Sequence, residues 1–419
     1  MTRYVAHITI EAETPLKVGS NSSDFIQDSP IQRDFNNLPI ILGTSLAGVL
    51  RKAFKDSVDK ESLVNDIFGN ENGSKIIISN ALLLNENEEV SEALLLEKSD
   101  FLKIFETLPI REHTAITAKG VAKEHSKFDE EVLYKGSRFK FSLELIEENE
   151  EVFTKVLSLL LSTSFRVGGG STKGFGKIKV VEIKTDKFNR DSYLGYSSSL
   201  NYTLSKSYEI KTTNSSKHFL YQLRITPDDF FMFGSSFGDE DADLTPVYEQ
   251  VVDYKAKKLT EKMILIPASS IKGALAHRTT YHFNLNNKFF IGNDGARESI
   301  KELFGAAKQS EENLGEKGKI LISDCFKEDN GSTKIFDHVS IDRFTGGAID
   351  GALFQEKTVA DTREYTIEIL LEKSVADEYR EAFELALKDI TTGMLSLGGM
   401  TTKGHGIFSG EVLRDGETI

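Results

Sequence analysis

The amino-acid sequence is duplicated, and this internal repeat restricts the fold more than any other feature. Seven short segments recur in the same order, at an offset of about 215 to 244 residues. The pairs are 10–20 and 225–235, 28–30 and 244–246, 42–50 and 267–275, 68–69 and 304–305, 78–80 and 322–324, 113–116 and 338–341, and 168–176 and 398–406. An ordered set of this size is not a chance result, so we expect the two halves to share one fold.

A polar stretch separates the two repeats. Residues 197–216 are rich in Ser, Thr and Asn and contain few apolar residues. Such a composition is typical of a linker, or of an edge strand followed by a linker. We therefore predict a first domain at 1–205, a linker at 206–217 and a second domain at 218–419.

Hydrophobic periodicity predicts the same element order in both halves: strand, helix, strand, strand, helix, strand. The predicted strands are 4–12, 75–81, 138–146 and 177–183, then 219–225, 319–323, 363–371 and 407–412. The predicted helices follow Thr44, span 150–165, follow Ser269 or Ser270, and span 376–395. This order is typical of an α+β, ferredoxin-like (RRM-like) fold. We expect two such domains, fused, with long insertions at 82–137 and 325–362, each ending in a glycine-rich loop.

Composition excludes several classes of protein. The single cysteine, Cys325, rules out an intrachain disulfide and a cysteine-based zinc finger. No run of 18 apolar residues exists, so we predict no membrane span and a cytoplasmic protein. The net charge is −14, and neither half is basic. A nucleic-acid partner would therefore have to meet a narrow basic groove on an otherwise acidic surface.

The glycine-rich loops precede strands rather than helices, which excludes a dinucleotide-binding fingerprint or a P-loop. One interpretation is a tight helix-to-strand turn that needs positive φ angles. The other is a backbone surface that approaches a phosphate, with charge supplied by Lys173 and Lys403. Residues 166–187 hold six Lys and Arg against two Asp and Glu, which favours phosphate contact.

The helix openings permit a similar pair of interpretations. Hydroxyl side chains and free N–H groups at a helix N-terminus can bind an anion, or the hydroxyls can cap the helix. The residues concerned are Thr44, Ser45, Ser269 and Ser270. Basic residues follow on the same helices and form either a binding surface or a solvated face; they are Arg51, Lys52, Lys272 and Arg278.

Acidic and histidine residues are the remaining candidates for chemistry. Asp24 and Asp28 lie in a polar loop after the first strand, and an acidic run ending at Asp243 occupies the matching place. Turn formation and solvation are the simpler explanation for these carboxylates. His113 and His338 open matching segments and could act as acid or base near neutral pH, or be structural.

In combination, these motifs resemble one family. Residues 28–34 and 38–51 resemble the opening of the backbone subunit of type III CRISPR effector complexes, which belongs to the RAMP superfamily. Residues 168–176 look like the glycine-rich loop of that superfamily, and 266–275 look like its first helix. Residues 338–348 look like its thumb-hairpin segment. The chain thus looks like two such subunits fused in tandem.

This resemblance implies a function. Backbone subunits stack along a guide (CRISPR) RNA with other effector subunits, and they bind and cut a complementary target RNA. The position needed for cutting is Asp28, whereas the second half has Leu244 there and Asp243 one residue earlier. We therefore predict a metal-dependent endoribonuclease with Asp28, and possibly Asp243, as catalytic residues. Asp28 would hold a divalent cation, Mg²⁺ or Mn²⁺.

The resemblance also implies a set of RNA-binding residues in each half. In the first half they are Ser20, Arg33, Thr44, Ser45, Arg51, Lys52, His113, Gly168, Gly169, Lys173 and Gly174. In the second half they are Ser235, Ser269, Ser270, Lys272, Arg278, His338, Arg343, Gly398, Gly399, Lys403 and Gly404.

Three alternatives stay open. The chain could be a non-catalytic RNA-binding scaffold of the same complex, which the departure at Leu244 supports for the second half. It could be a stand-alone guide-processing nuclease that uses His113 or His338. A small-molecule enzyme with tandem ferredoxin-like domains is the third, although no cofactor fingerprint is present.

Overall fold

A computed structural model of the chain shows a mixed α+β architecture with one main antiparallel sheet in each half. It describes residues 2–20, 29–58, 60–70, 73–117, 121–147, 149–235, 237–289, 300–306 and 315–419. Among these residues, no helix is both long and apolar enough to cross a lipid bilayer.

The first sheet is centred on a strand that is buried along nearly its whole length. The strands of this half are β1 (Arg3–Ala12), β2 (Ile40–Ile41), β3 (Ile76–Ile78), β4 (Ala81–Leu83), β5 (Ile110–His113), β6 (Phe128–Glu131), β7 (Arg138–Ile146), β8 (Ile178–Phe188) and β9 (Lys206–Ser207). The sheet order is β2-β4-β7-β1-β8-β9, and β3 also pairs with β7. Strands β5 and β6 form a separate hairpin.

The helices of this half are α1 (Gly43–Ser57), α2 (Glu61–Phe68), α3 (Asp100–Lys103), α4 (Glu150–Leu160) and α5 (Arg190–Tyr193), with a 3₁₀ turn at Ile104–Glu106. Helix α1 buries Leu46, Leu50 and Phe54, which recur at helical spacing and join the core that β1 lines.

The second half repeats this plan. Its strands are β10 (His218–Pro227), β11 (Tyr248–Glu249), β12 (Val252–Asp253), β13 (Lys258–Leu259), β14 (Met263–Ile266), β15 (Gly305–Ala306), β16 (Glu316–Lys317), β17 (Ile320–Ile322), β18 (Cys325–Glu328), β19 (Thr333–His338), β20 (Phe354–Val359), β21 (Tyr365–Glu372), β22 (Phe408–Arg414) and β23 (Glu417–Thr418). Its helices are α6 (Ala268–Asn286), α7 (Lys301–Phe304) and α8 (Asp377–Thr391), with a 3₁₀ turn at Thr401–Lys403.

The predicted fold is confirmed by strand order. The second sheet runs β17-β21-β10-β22-β23, and the first contains the equivalent run β3-β7-β1-β8. This is the ferredoxin-like arrangement, in which the first strand lies between the third and the last.

Some predicted boundaries are wrong. The helix predicted at 150–165 ends at Leu160, and the strand predicted at 75–81 is divided into β3 and β4.

The long insertions are more ordered than the sequence indicated. Each contains an antiparallel hairpin, β5–β6 in the first half and β19–β20 in the second. A further hairpin, β12–β13, lies where the first half has only a short turn closed by a single antiparallel bridge between Arg33 and Pro39. Its residues Val252 and Tyr254 are buried in the first half's core, so the second repeat packs into the first.

Candidate nucleic-acid interface

Each half has one long helix after its first strand, α1 in the first half and α6 in the second. Neither helix begins as the sequence predicted. Helix α1 follows Leu42 and helix α6 follows Pro267, and neither has a side-chain cap of its own. The expected caps by Thr44 and by Ser269 or Ser270 are therefore wrong. A side chain from a distant segment accepts the free N–H group instead: Asn80 Oδ1 from Gly43 and Asp324 Oδ1 from Ala268, at 2.9 and 2.8 Å. The hydroxyl residues of the first turn remain at the surface or half-buried.

The glycine-rich loop of the first half packs on the N-terminus of α6. Gly174 has a φ angle of +113°, and a Cβ placed on it would lie 2.8 Å from the Cβ of Ala268 and would overlap Asp324. Only glycine fits there, because both the backbone angle and the space exclude a side chain. The equivalent Gly404 has a φ angle of +89°, but a Cβ there meets no described atom within 4 Å. We call the contact of residues 168–176 with α6 the domain junction.

A buried ion-pair cluster holds this junction together. Arg111, at the base of hairpin β5–β6, donates to Glu249 Oε2 at 2.9 Å and to Asp324 Oδ2 at 2.6 Å. The side chains of all three residues are at most 7% exposed. Since Asp324 also caps α6, one carboxylate ties the helix, the hairpin and the loop into a single contact.

Two lysines meet at the same junction. Lys272 of α6 donates from Nζ to Thr172 Oγ1 at 2.9 Å, and its half-buried side chain has no carboxylate partner among the described residues. Burial, together with the charge of Lys173, lowers the pKa of Lys272 to about 8. An anion is therefore the ligand that this arrangement favours, because it would relieve both effects.

The base of hairpin β5–β6 carries a charged cluster beside the glycine-rich loop. His113 stacks on Phe128 with ring centroids 5.1 Å apart, and its Nε2 lies 3.1 Å from Oε2 of the buried Glu130. Lys17 forms an ion pair with the same carboxylate, and Lys173 Nζ lies 3.6 Å from it. Burial alone would raise the pKa of Glu130, but His113, Lys17 and Lys173 together lower it to about 2. Glu130 is therefore ionised at neutral pH.

The second half reproduces this cluster. His338 stacks on Phe354 at 4.8 Å, and its Nε2 lies 2.9 Å from Oε2 of the fully buried Glu356. Lys403 Nζ lies 4.8 Å above the ring of Phe354, as Lys173 Nζ does above Phe128. The repeat thus places a histidine, a buried glutamate and a loop lysine together twice.

Comparison with known families agrees with this duplicated geometry. The sequence profile of the RAMP superfamily matches residues 9–179 and 244–409, once in each half. The chain belongs to the RAMP superfamily. This membership associates it with the RNA-binding subunits of CRISPR complexes. No curated protein matches the chain.

Sequence reasoning missed the two buried glutamates of this RAMP protein, Glu130 and Glu356. A signal was present, since each stands two residues after the aromatic partner of a predicted histidine, as Phe-Asp-Glu and Phe-Gln-Glu. Alternation in a strand places residues two apart on one face, next to the same histidine. Each glutamate has its Oε2 atom close to the Nε2 atom of its histidine, at 3.1 Å in the first half and 2.9 Å in the second.

Several predicted RNA-binding residues bond within their own RAMP domain. Arg33 contacts Glu131 and two backbone carbonyls, and Arg51 contacts Asn65 and the carbonyl of Gly69. Arg278 forms an ion pair with Asp389. These contacts serve the fold, so any role of these three residues toward RNA stays a prediction.

The small residues of the prediction lie in turns. Ser20 and Ser235 bond to Pro30 and to Thr245 through their backbone N–H groups. The N–H groups of Gly169 and Gly399 bond to the carbonyls of Lys17 and Met232, an equivalent contact in each RAMP domain. Gly168 and Gly398 precede them with φ angles of +82° and +91°. Arg343 is at the exposed tip of hairpin β19–β20.

The two predicted catalytic aspartates are Asp28 in the first half and Asp243 in the second. Asp28 and its metal site lie outside the described residues. Asp243 is exposed beside strand β20, where its Oδ2 accepts from the N–H of Gln355 at 2.8 Å. Its acidic neighbours Asp239 and Asp241 are both paired with Lys357. The described part of this acidic loop is thus not arranged as a metal centre, and no group of three metal-ligating side chains occurs among the described residues.

Proposed function

We propose that this RAMP protein is a guide-RNA-binding backbone subunit of a type III CRISPR ribonucleoprotein that binds and cleaves complementary target RNA in the cytoplasm. The domain junction is the observation that supports it most. A glycine-rich loop meets a helix N-terminus there, with Lys173 and Lys272 beside them and without a carboxylate for Lys272 among the described residues. Glycine backbone, which allows close approach, and lysine ammonium groups are what contact with a phosphate backbone requires.

The junction also supports stacking with other effector subunits. The loop containing Gly404 has the geometry of its docked counterpart and an open surface, so a neighbouring subunit could present a helix to it. The ion-pair cluster would not recur at that contact. Phe336 stands at the position equivalent to Arg111, and Asn80 stands at the position equivalent to Asp324. The loop containing Gly404 therefore favours contact with a different protein over contact with α1 of a second copy of this chain.

The proposed cleavage chemistry depends on position. Asp28, and possibly Asp243, would orient a ribose 2′-hydroxyl toward the adjacent phosphorus and accept its hydrogen bond. Asp243 is suitably exposed, and the N–H of Gln355 fixes its carboxylate. Mg²⁺ or Mn²⁺ at Asp28 remains a prediction, and we derive no step through it. A non-catalytic scaffold is equally compatible with the family match. For the second half, the ion pairs of Asp239 and Asp241 with Lys357 favour this alternative.

Cleavage of a labelled matching target by the reconstituted complex tests the proposal. Asp28→Ala should remove one fragment and slow that cut by about 100-fold or more, since a positioned carboxylate contributes on that scale. Asp243→Ala should remove a second fragment if the second domain is active. Each reaction is run with and without Mg²⁺. Glu240→Ala, an exposed acid in the same loop as Asp243, is the matched control and should leave every fragment unchanged.

A target that binds but gives the same fragments with both aspartate variants would contradict the nuclease assignment. The chain would then be the non-catalytic scaffold. Cleavage of a repeat RNA by the isolated chain without metal would instead support a guide-processing nuclease, and His113→Ala and His338→Ala would locate it.

Affinity for guide RNA should fall as the pH rises through about 8. The free protein releases the Lys272 proton near that pH, whereas a bound phosphate raises the pKa of the ammonium group again. Above pH 8, binding of guide RNA is therefore coupled to the uptake of one proton by Lys272, and the affinity should fall by up to about tenfold per pH unit. Fluorescence anisotropy with labelled guide RNA between pH 7 and 9.5 measures this. Lys272→Arg stays charged throughout and should remove the dependence. Parallel slopes for the two proteins would show that Lys272 does not face a phosphate.

A further inference from the structure

A cavity of about 650 Å³ lies between the two halves of the protein, and its lining shares no residue with the domain junction. The first half contributes the C-terminal part of α1 and the end of α4, and the second half contributes residues 317–321 and Glu372. The polar segment 213–218 lines the remaining side. Its volume is in the range of small-molecule sites. We call it the interdomain cavity.

Cations dominate this cavity, although the chain as a whole carries a net charge of −14. The ionisable residues that line it are Lys52, Asp56, Arg166, Lys217, His218, Lys317, Lys319 and Glu372. Five of these are Lys or Arg and two are carboxylates. Burial lowers the pKa of His218, so this residue is neutral at pH 7.

Four of the cations have no ion-pair partner among the described residues: Lys52, Arg166, Lys217 and Lys317. Lys217 donates instead to the backbone carbonyl of Asp56. Arg166 is 8% exposed and donates only to the backbone carbonyls of Thr163 and Phe165, at 2.6 and 3.1 Å. Burial lowers the pKa of Arg166 to about 10. Partial loss of solvent lowers the pKa of Lys317. The charges of Lys52 and Arg166 act in the same direction, and the carboxylate of Glu372 opposes them. These like charges from both halves therefore repel one another in the absence of an anion.

We infer that the interdomain cavity binds the phosphate groups of a nucleotide-sized ligand that bridges the two halves. The cations come from separate elements of both halves and line one cavity, which suits a compact polyanion. Hydroxyls of Ser162, Ser164 and Thr213 line the same wall and can donate to phosphate oxygens. Charge-assisted hydrogen bonds to phosphate are stronger than neutral ones, so the lysines should dominate affinity.

Tripolyphosphate and ATP, both without Mg²⁺, are the probes that test this inference on the full-length chain. Calorimetry should show binding of at least one probe, with a rise in melting temperature above that given by NaCl of equal ionic strength. Lys52→Ala and Lys317→Ala should each weaken binding by about tenfold, because each removes one charged phosphate contact. Both side chains are exposed, so the variants should fold. Lys55→Ala is the matched control, since Lys55 lies on α1, pairs with Glu61 and does not line the cavity.

Binding of ATP alone would support the inference and add recognition of the base. Equal affinities for the wild type and both variants, or stabilisation no greater than that of NaCl, would overturn it. A single-stranded RNA of 12 nucleotides forms the third arm. If only that RNA responds to Lys52→Ala and Lys317→Ala, the cavity belongs to the RNA path and the small-ligand inference is wrong. Lys272→Ala separates the two sites, because it should affect RNA at the domain junction and leave ATP binding unchanged.

Discussion

Replacing Arg111 with methionine is expected to lower the free energy of unfolding by about 3–5 kcal/mol. The substitution leaves Glu249 and Asp324 buried without their cation, and a buried carboxylate without a partner is strongly unfavourable. The glycine-rich loop should also lose its place on α6, since Asp324 and Arg111 hold both. Urea denaturation followed by circular dichroism measures the loss, and guide-RNA anisotropy should show weakened binding in the same variant.

Lys177→Met is the matched control for Arg111→Met. Lys177 forms an ion pair with Glu368 across the same pair of domains, but their side chains are 20% and 40% exposed. A solvent-exposed pair contributes about 1 kcal/mol or less, so this variant should be nearly as stable as the wild type. If both variants lost the same stability, the Arg111 cluster would not be what holds the junction.

Tyr254→Ala is the second large effect, at about 3–5 kcal/mol of unfolding free energy. Tyr254 comes from hairpin β12–β13 of the second repeat but is buried in the core of the first. Its ring lies 5.0 Å from that of Phe101, and its hydroxyl donates to the carbonyl of Leu84 at 2.9 Å. Truncation therefore leaves a cavity and detaches the hairpin. Thermal and urea unfolding measure the change.

Two further variants separate the causes at Tyr254. Tyr254→Phe keeps the ring and leaves the Leu84 carbonyl without this donor, which should cost about 1–3 kcal/mol. Phe344→Ala removes a fully exposed aromatic ring and should change stability by less than about 0.5 kcal/mol. A Tyr254→Ala protein as stable as Phe344→Ala would show that the hairpin does not contribute to the first core.

The order of helices and strands could be predicted because it depends on local periodicity. The strand predicted at 138–146 is β7 with the same ends, where buried and half-buried residues alternate without interruption. Helix ends were less predictable. The caps of α1 and α6 come from Asn80 and Asp324, which are 37 and 56 residues from the groups they cap. No local pattern at Thr44 or Ser269 reveals a partner so far along the chain.

The candidate site was only partly visible in the sequence. The duplication pointed to Lys173, Lys403, His113 and His338. The structure places Lys173, His113 and His338 beside a buried glutamate and Lys403 over the ring of Phe354. The burial of Glu130 and Glu356 could not be predicted from the sequence, because a glutamate in an amphipathic strand is usually solvated. Burial and a histidine neighbour are properties of the packed hairpin.

The sequence by itself determined that two sheets of the same order would form, because each half carries its own periodic apolar segments. Only the tertiary structure decided how the halves meet. One glycine-rich loop packs on a helix of the other half, whereas a Cβ at Gly404 of its copy meets no described atom within 4 Å, although six of their nine residues are identical. The docked loop is held by Arg111, Glu249 and Asp324, which are far apart in the chain and form ion pairs only after both domains have packed. Electrostatic pairing depends on distance in space, which short-range sequence patterns do not record.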